Sequence, residues 1–327
     1  MGNGIGYAMT TTSALPETMK AVVVEAAGPP SALHIKDVPV PKLARNHVII
    51  ALEYAGLGVW DAAQRAGSWG PVEPGTILGA DGSGTIAAVA ADVSRFKVGD
   101  RVYSYSYGNS SGGFHAEYVS VLADRVAHVP TQLQMSVAGA MPCVALTALS
   151  GLELLKVNSG QTVLVFGSSG GVGSLAVWLA NGAGATVVGT AQPDAQEYVR
   201  SLGAARTINP NSSQRERLLK RIVPAGFDAA LVAANGDVLP AFLSHLKAGA
   251  PFVYPNGVEP KPHFSGHPGL AFDASMSQEA FVRLNAAIGG RTIPLRIQVF
   301  PLKDVVEAHR RIEHGHVLGK IVLRIRS

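Results

Sequence analysis

The rhythm of apolar and polar positions changes once along the chain. From Met19 to about residue 136, apolar residues come in short runs rich in β-branched side chains, separated by Gly, Pro or Asp. Residues 19–24 (Met-Lys-Ala-Val-Val-Val), 46–54 (Asn-His-Val-Ile-Ile-Ala-Leu-Glu-Tyr), 82–90, 100–107 and 115–121 read as strands on that pattern. Short strands joined by turns such as Val98-Gly99-Asp100 predict a compact β-domain, closed or nearly so. Beyond residue 136 the pattern predicts helices over 136–156, interrupted at Pro142 and Gly151. Strands at 162–166, 186–190, 206–208, 228–232 and 251–254 then alternate with helices reaching Ala183 and covering 194–202, 213–223 and 237–247. That alternation predicts a parallel sheet with helices on both faces and right-handed crossovers. A loop rich in Pro, His and Gly fills 255–270, before a helix at 275–289 and a strand near 295–299. A last helix (302–314) and strand (319–325) are expected to rejoin the first domain. The periodic pattern starts only at Met19, so residues 1–18 read as a flexible extension. The chain thus divides into a β-rich domain, 19–137 with 291–327, and an α/β domain, 138–290.

Composition narrows the choices. A chain of 327 residues suits about two domains. With 47% hydrophobic and 15% charged residues it is not intrinsically disordered. The single cysteine excludes an intramolecular disulfide and any metal site built on two thiolates from one chain. The net charge of +4 is scattered among acids, as in residues 214–221, so no basic face for nucleic acid is predicted. Residues 157–193 carry no charge, a length that could span a bilayer. Eight glycines interrupt that stretch, however, and it reads as strand, turn, helix, strand, so no membrane segment is predicted. The first 18 residues lack the basic-then-apolar order of a secretory signal, and a cytoplasmic location is expected.

The strongest chemical signal is Val163-Leu-Val-Phe-Gly-Ser-Ser-Gly-Gly-Val-Gly173. A buried strand that runs through a glycine turn into a helix aims backbone N–H groups and the helix dipole at an anion. Glycine lets a pyrophosphate approach the backbone closely, and the turn opens a βαβ series, as a dinucleotide site requires. The short-chain dehydrogenases share such a turn, but they need a Tyr-x-x-x-Lys pair. None of the eight tyrosines has a lysine four residues later.

From Met19 onward the chain resembles the medium-chain dehydrogenase/reductase superfamily, in its zinc-free quinone oxidoreductase-like branch. The resemblance rests on Met19-Lys-Ala-Val, Val98-Gly-Asp-Arg-Val102, Gly112-Gly-Phe-His-Ala-Glu-Tyr-Val119, Leu146-Thr-Ala148 and Ser168-Ser-Gly-Gly-Val-Gly173. It extends through Ser201-Leu-Gly-Ala204, residues 307–315 and Gly319-Lys-Ile-Val-Leu323. It implies a GroES-like β-barrel catalytic domain completed by the C-terminal tail, a Rossmann doubly wound parallel-sheet domain, and a homodimer. In zinc-dependent members the three ligand positions correspond to Gly58, Ala80 and Cys143 here, so two of the three have no donor side chain. Catalytic zinc takes three protein ligands plus water, and no metal is expected. Without that Lewis acid, alcohol oxidation gives way to reduction of a quinone or an enone. A 2-alkenal or trans-enoyl thioester reductase is the alternative. A dinucleotide-binding protein with no catalytic role is the alternative of another class.

The end of the second strand of the α/β domain reads Gly189-Thr190-Ala191-Gln192, with no acid to hold the ribose hydroxyls of NAD, which favours NADPH. Tyr198 and Arg200 are the nearest candidates for its 2′-phosphate. Ser168, Ser169, Gly170, Gly171 and Val172 are expected around the pyrophosphate, with Thr190 and Gln192 along the adenosine ribose. The resemblance implies Thr147 beside the nicotinamide, Asn235 near its ribose, and the backbone of Tyr254 to Gly257, with Asn256, at its carboxamide. On the acceptor side the candidates are Tyr54, Gly58 and Trp60. The branch often carries an asparagine where Gly58 stands and an aromatic where Ala63 stands; both are missing. Trp60 and Trp69 could supply aromatic surface instead, and Tyr103, Tyr105 and Tyr107 form a stripe better explained by packing. The proton donor is read as solvent, with Tyr54, Tyr105 and Tyr107 the side-chain candidates. His263 with His267, and His314 with His316, are read as loop and helix-end residues and not as metal ligands.

Overall fold

Residues 15–326 are described in a computed structural model of the chain. The extension expected at the N-terminus therefore lies outside the description as far as residue 14. The chain divides into two compact units. The first comprises residues up to Pro142, Gln298–His314 and the segment from Ile321. The second comprises Cys143–Ile297 and, unexpectedly, Gly315–Lys320.

The first unit opens with β1 (Thr18–Val24), β2 (Leu33–Pro39) and β3 (His47–Leu57), then α1 (Val59–Arg65) and β4 (Thr76–Ile77). It continues with β5 (Asp81–Val89), β6 (Arg101–Tyr105), β7 (Tyr118–Leu122), β8 (Val126–His128) and α2 (Met135–Ala140). Helix α3 (Pro142–Leu154) leads to the second unit: β9 (Thr162–Phe166), α4 (Gly171–Gly182), β10 (Thr186–Thr190) and α5 (Gln196–Ser201). There follow β11 (Arg206–Ile208), α6 (Arg215–Ile222), β12 (Ala229–Val232), α7 (Leu239–Leu243), β13 (Phe252–Pro255), β14 (Gly269–Phe272) and α8 (Gln278–Ile288). The chain closes with β15 (Ile297–Pro301), α9 (Val305–Glu313) and β16 (Lys320–Arg324).

In the second unit the strands form one parallel sheet in the order β11-β10-β9-β12-β13-β14. The order reverses at β9, the strand that feeds the glycine turn. Ligands in such sheets sit at that reversal, beyond the carboxyl ends of the strands. β9, β10 and β12 are nearly continuous apolar runs because both of their faces are covered. Leu164, Phe166, Val188 and Phe252 lie in one cluster with Leu219, Phe227 and Phe242. Gly151 does not break α3: a Cβ there would come within 2.8 Å of Leu231 and of the Phe272 ring, so small size serves packing.

In the first unit a seven-stranded sheet runs β15-β16-β3-β5-β6-β8, with β7 also on β3, beside a three-stranded sheet β2-β1-β4. Its core holds Val48, Ile50, Leu52, Ile86, Val102 and Phe114. A polar cluster is buried between α1 and α9. Arg65, 1% exposed, donates to the Gly28 carbonyl at 3.0 Å, to His309 Nδ1 at 3.4 Å and to the Glu313 carboxylate. His309 is fully buried, and burial, helped by His115 and the Arg65 charge, lowers its pKa to about 3. His115, also fully buried, bonds through Nε2 to the Gly56 carbonyl at 3.0 Å.

Candidate functional site

The glycine turn follows from local necessity. Gly167 has φ +80, and a Cβ there would lie 2.8 Å from that of Ala234. A Cβ on Gly173 would lie 2.1 Å from the Gly167 carbonyl oxygen, so the first turn of α4 folds back on the strand exit at a distance only glycine permits. Gly170 precedes α4 in an extended conformation with open space before its Cα. The first N–H groups of α4 lack partners within the helix and face an anion's place. The turn is tied to β10 three times: the Gly167 N–H donates to Thr190 Oγ1 at 2.8 Å, and both Ser168 Oγ, at 2.7 Å, and the Ser168 N–H, at 3.3 Å, donate to the Thr190 carbonyl.

A groove of about 350 Å³ opens at this end of the sheet, lined by Gly167, Ser169, Thr190, Gln192, Asn211 and Asn235, among others. Of the expected positions, Ser169, Thr190, Gln192 and Asn235 are brought together here. Val172 stands half-buried in the first turn of α4. Asn235 Oδ1 accepts from the Gly236 N–H at 2.7 Å, and its amide donates to the Pro260 carbonyl. Asn256 follows β13 and donates to Asp273 at 2.8 Å. Thr147, nearly buried on α3, donates its hydroxyl to the Cys143 carbonyl at 2.8 Å.

The structure corrects the expectation for Tyr198, while Ser168 and Tyr254 keep backbone roles only. The Ser168 side chain is fully buried and spent on β10, so only its backbone can serve a ligand. Tyr198 is turned into the core, 2% exposed; its hydroxyl donates to Ser174 Oγ at 3.0 Å and accepts from the Arg296 N–H at 3.2 Å. Burial pushes its pKa up, and it cannot reach a 2′-phosphate from there. The Tyr254 ring lies in the core against Phe252, which leaves its backbone alone for the expected role. Arg200 is exposed on α5 and donates to Thr207 Oγ1 at 3.0 Å, on the edge strand.

Sequence reasoning missed the segment 315–320 as part of this site. The Gly319 N–H donates to the Ser169 carbonyl at 2.8 Å. Lys320, 4% exposed, lays its stem beside Gly171, bringing a lysine to the start of α4. The only sequence signal was a lysine opening a strand whose next three residues are apolar.

In the first unit, Asp61 does what no pattern announced. It is 1% exposed; Oδ2 accepts from the Gly58 N–H at 2.8 Å and Oδ1 from the Gly79 N–H at 3.1 Å. It thereby ties the start of α1 to the turn carrying Ala80. A Cβ on Gly58 would lie 2.4 Å from the Trp60 ring, so Trp60 occupies the space that a side chain at 58 would need. Gly58→Asn is accordingly expected to lower the melting temperature, and Trp60→Ala in the same chain to restore it; thermal unfolding of both variants checks this. Tyr54 is half-buried on β3, packed closely against Gly139. Trp69 is half-exposed, Tyr103 is fully buried, and Tyr107 lies beyond the end of β6. Gly58 and Ala80 offer no metal donor, and among the described residues no three His, Cys, Asp or Glu side chains gather as a metal site. His267 bonds to the Ala250 carbonyl at 3.0 Å, and His314 caps the end of α9.

Among the described residues no helix is long and apolar enough to cross a membrane. Residues 44–131 match the alcohol dehydrogenase GroES-like domain, and residues 171–276 match the family described as zinc-binding dehydrogenase. The chain is 30% identical to 2-methylene-furan-3-one reductase from Solanum lycopersicum, over 96% of this chain and 81% of that protein. It is 29% identical to the chloroplastic NADPH-dependent alkenal/one oxidoreductase of Arabidopsis thaliana, over 96% and 82%. The structure of a quinone oxidoreductase from Coxiella burnetii superposes with a TM-score of 0.80 at 27% identity, covering 94% of this chain and all of that one. The chain is a member of the medium-chain dehydrogenase/reductase superfamily, an oxidoreductase of its quinone oxidoreductase-like branch.

Proposed function

We propose that the protein uses NADPH, without zinc, to reduce a quinone or the polarised C=C bond of an enone. The observation that carries this reading is a groove beside the glycine turn, at the carboxyl ends of β9 and β10, in a chain whose corresponding zinc-ligand positions include Gly58 and Ala80. When bound, the cofactor supplies a hydride from C4 of its nicotinamide. The chain's part is to bind and orient. The glycine turn and the first N–H groups of α4 hold the pyrophosphate, with Lys320 adding positive charge. Thr147, Asn235 and the backbone of Tyr254 to Gly257 are assigned to the nicotinamide half, and Gln192 and Thr190 to the adenosine half. Tyr54, Gly58 and Trp60 are assigned to the acceptor. No side chain is assigned as an obligatory acid, so the proton comes from solvent. NADPH is favoured over NADH because β10 ends in Thr190-Ala191-Gln192, without an acid. A single buried cysteine, Cys143, suits a reducing compartment such as the cytoplasm. β15 is at the edge of its sheet, and such an edge can pair with a second copy in a homodimer.

The test is oxidation of NADPH, with NADH in parallel, against 1,4-benzoquinone, 9,10-phenanthrenequinone and a short enone, each with and without a chelator. Chelator-insensitive turnover that prefers NADPH is expected. Loss of turnover on chelation would overturn the zinc-free reading. A preference for a 2-alkenal over every quinone would favour the alkenal-reductase reading, which the Arabidopsis relative's name supports.

A further inference from the structure

We propose that His316, paired with Asp194, is the residue that distinguishes NADPH from NADH, by holding the 2′-phosphate through its second ring nitrogen. This rests on the NADPH dependence proposed above. His316 lines the same groove as Thr190, Gln192 and Asn211. That is the end of β10, where a dinucleotide-binding sheet receives the adenosine ribose. No lysine or arginine lines the groove among the described residues; His316 is its one basic side chain and Asp237 its one acid. Of the two residues expected at the phosphate, Tyr198 is buried, and Arg200 donates to Thr207 and does not line the groove.

Asp194 stands on the turn just after β10 and would by itself repel a phosphate or accept ribose hydroxyls. Its Oδ2 lies 2.7 Å from His316 Nε2, and this hydrogen bond holds the carboxyl below its ordinary range. An imidazolium carries a donor on each nitrogen, one for each of two anions. The acid therefore orients the ring and no longer opposes the phosphate. The backbone supports the assignment. His316 has φ +50, a left-handed conformation that a side-chain-bearing residue adopts at some cost. The loop that carries it is fixed by the Gly319–Ser169 hydrogen bond and by Lys320 N–H to the Arg296 carbonyl at 3.0 Å. The histidine thus projects from a held loop.

Equilibrium binding to the full chain, read by tryptophan fluorescence, tests this with NADPH, NADH, 2′,5′-ADP and 5′-AMP. His316→Gln keeps a donor for Asp194 but removes the charge. It is expected to weaken NADPH and 2′,5′-ADP by about tenfold, the order of one charge-assisted hydrogen bond at an exposed site, and to leave NADH and 5′-AMP unchanged. His316→Arg is expected to keep the preference. Asp194→Asn should leave NADPH binding at least as tight. An undiminished preference in His316→Gln, or equal losses for both dinucleotides, would overturn the assignment. So would a tenfold loss of NADH and 5′-AMP in Asp194→Asn, which would make the acid a partner of the ribose hydroxyls. Wild-type protein that binds NADH more tightly than NADPH would remove the NADPH reading itself, whereas a wild-type NADPH preference that survives His316→Gln would remove only the role of His316.

Discussion

Acidification from about pH 7 to about pH 5 is expected to lower the unfolding free energy by about 2 kcal/mol through His309 alone. Buried beside His115 and the Arg65 guanidinium, this side chain accepts a proton in the folded protein only near pH 3, against an ordinary value of 6.5. The unfolded chain takes up its proton first. It therefore binds more protons across the whole interval from about 6.5 down to about 3, and stability falls as pH falls through that interval. Above it both states hold neutral histidine, and this group adds no slope. Urea unfolding across the interval, for the wild type and His309→Gln, isolates the contribution. The variant should be less stable near neutrality, having lost packing beside Arg65, yet show the shallower pH dependence. Equal slopes would place the acid sensitivity in other groups.

Gly173→Ala should be among the most damaging single methyls in the second unit. The added carbon would stand 2.1 Å from the Gly167 carbonyl oxygen and 2.7 Å from the Ser168 Cα. Both are backbone atoms, which no rotamer change can move aside, so α4 must draw back from the exit of β9. Overpacking of this kind costs about 1–3 kcal/mol. The larger loss is in the ligand, since the N–H groups at the start of α4 move away from the anion. A fall of about a hundredfold in affinity for the reduced dinucleotide is expected, as for losing two charge-assisted hydrogen bonds. Gly170→Ala is the control. Its Cβ would meet nothing nearer than 3.8 Å, so the fold should keep its melting temperature. Wild-type binding by Gly173→Ala would show that the turn tolerates opening.

The comparison of these two glycines also indicates what a sequence makes legible. The strands of the second unit announced themselves because a strand covered on both faces must be apolar throughout, as in residues 163–166 and 187–188. The turn was equally plain, since its chemistry resides in contiguous backbone. Strand β2 escaped notice because its residues, Leu-His-Ile-Lys-Asp-Val-Pro, are mostly exposed at a sheet edge and carry no apolar alternation. Strand β14 is four residues long, follows Pro268 and exposes half of Leu270. Helix α1 was hidden because its buried face includes Asp61 and Arg65, charges that also pair with Gly79 and with Glu313, distant in sequence. Tyr198 was sought in the right neighbourhood with the wrong orientation, since residue type gives no direction. His316, Lys320 and Asp61 share one difficulty: each acts on a segment distant in sequence, and only the folded chain supplies the pairing.

The second unit takes in residues 315–320 after the chain has left it to form α9. During synthesis, every strand of the parallel sheet emerges before the loop that carries Gly319 and Lys320. A nascent chain can thus assemble the sheet and its glycine turn while the Ser169 carbonyl still lacks the N–H that secures it. An excised fragment covering only the contiguous strands and helices would inherit the sheet without this clasp.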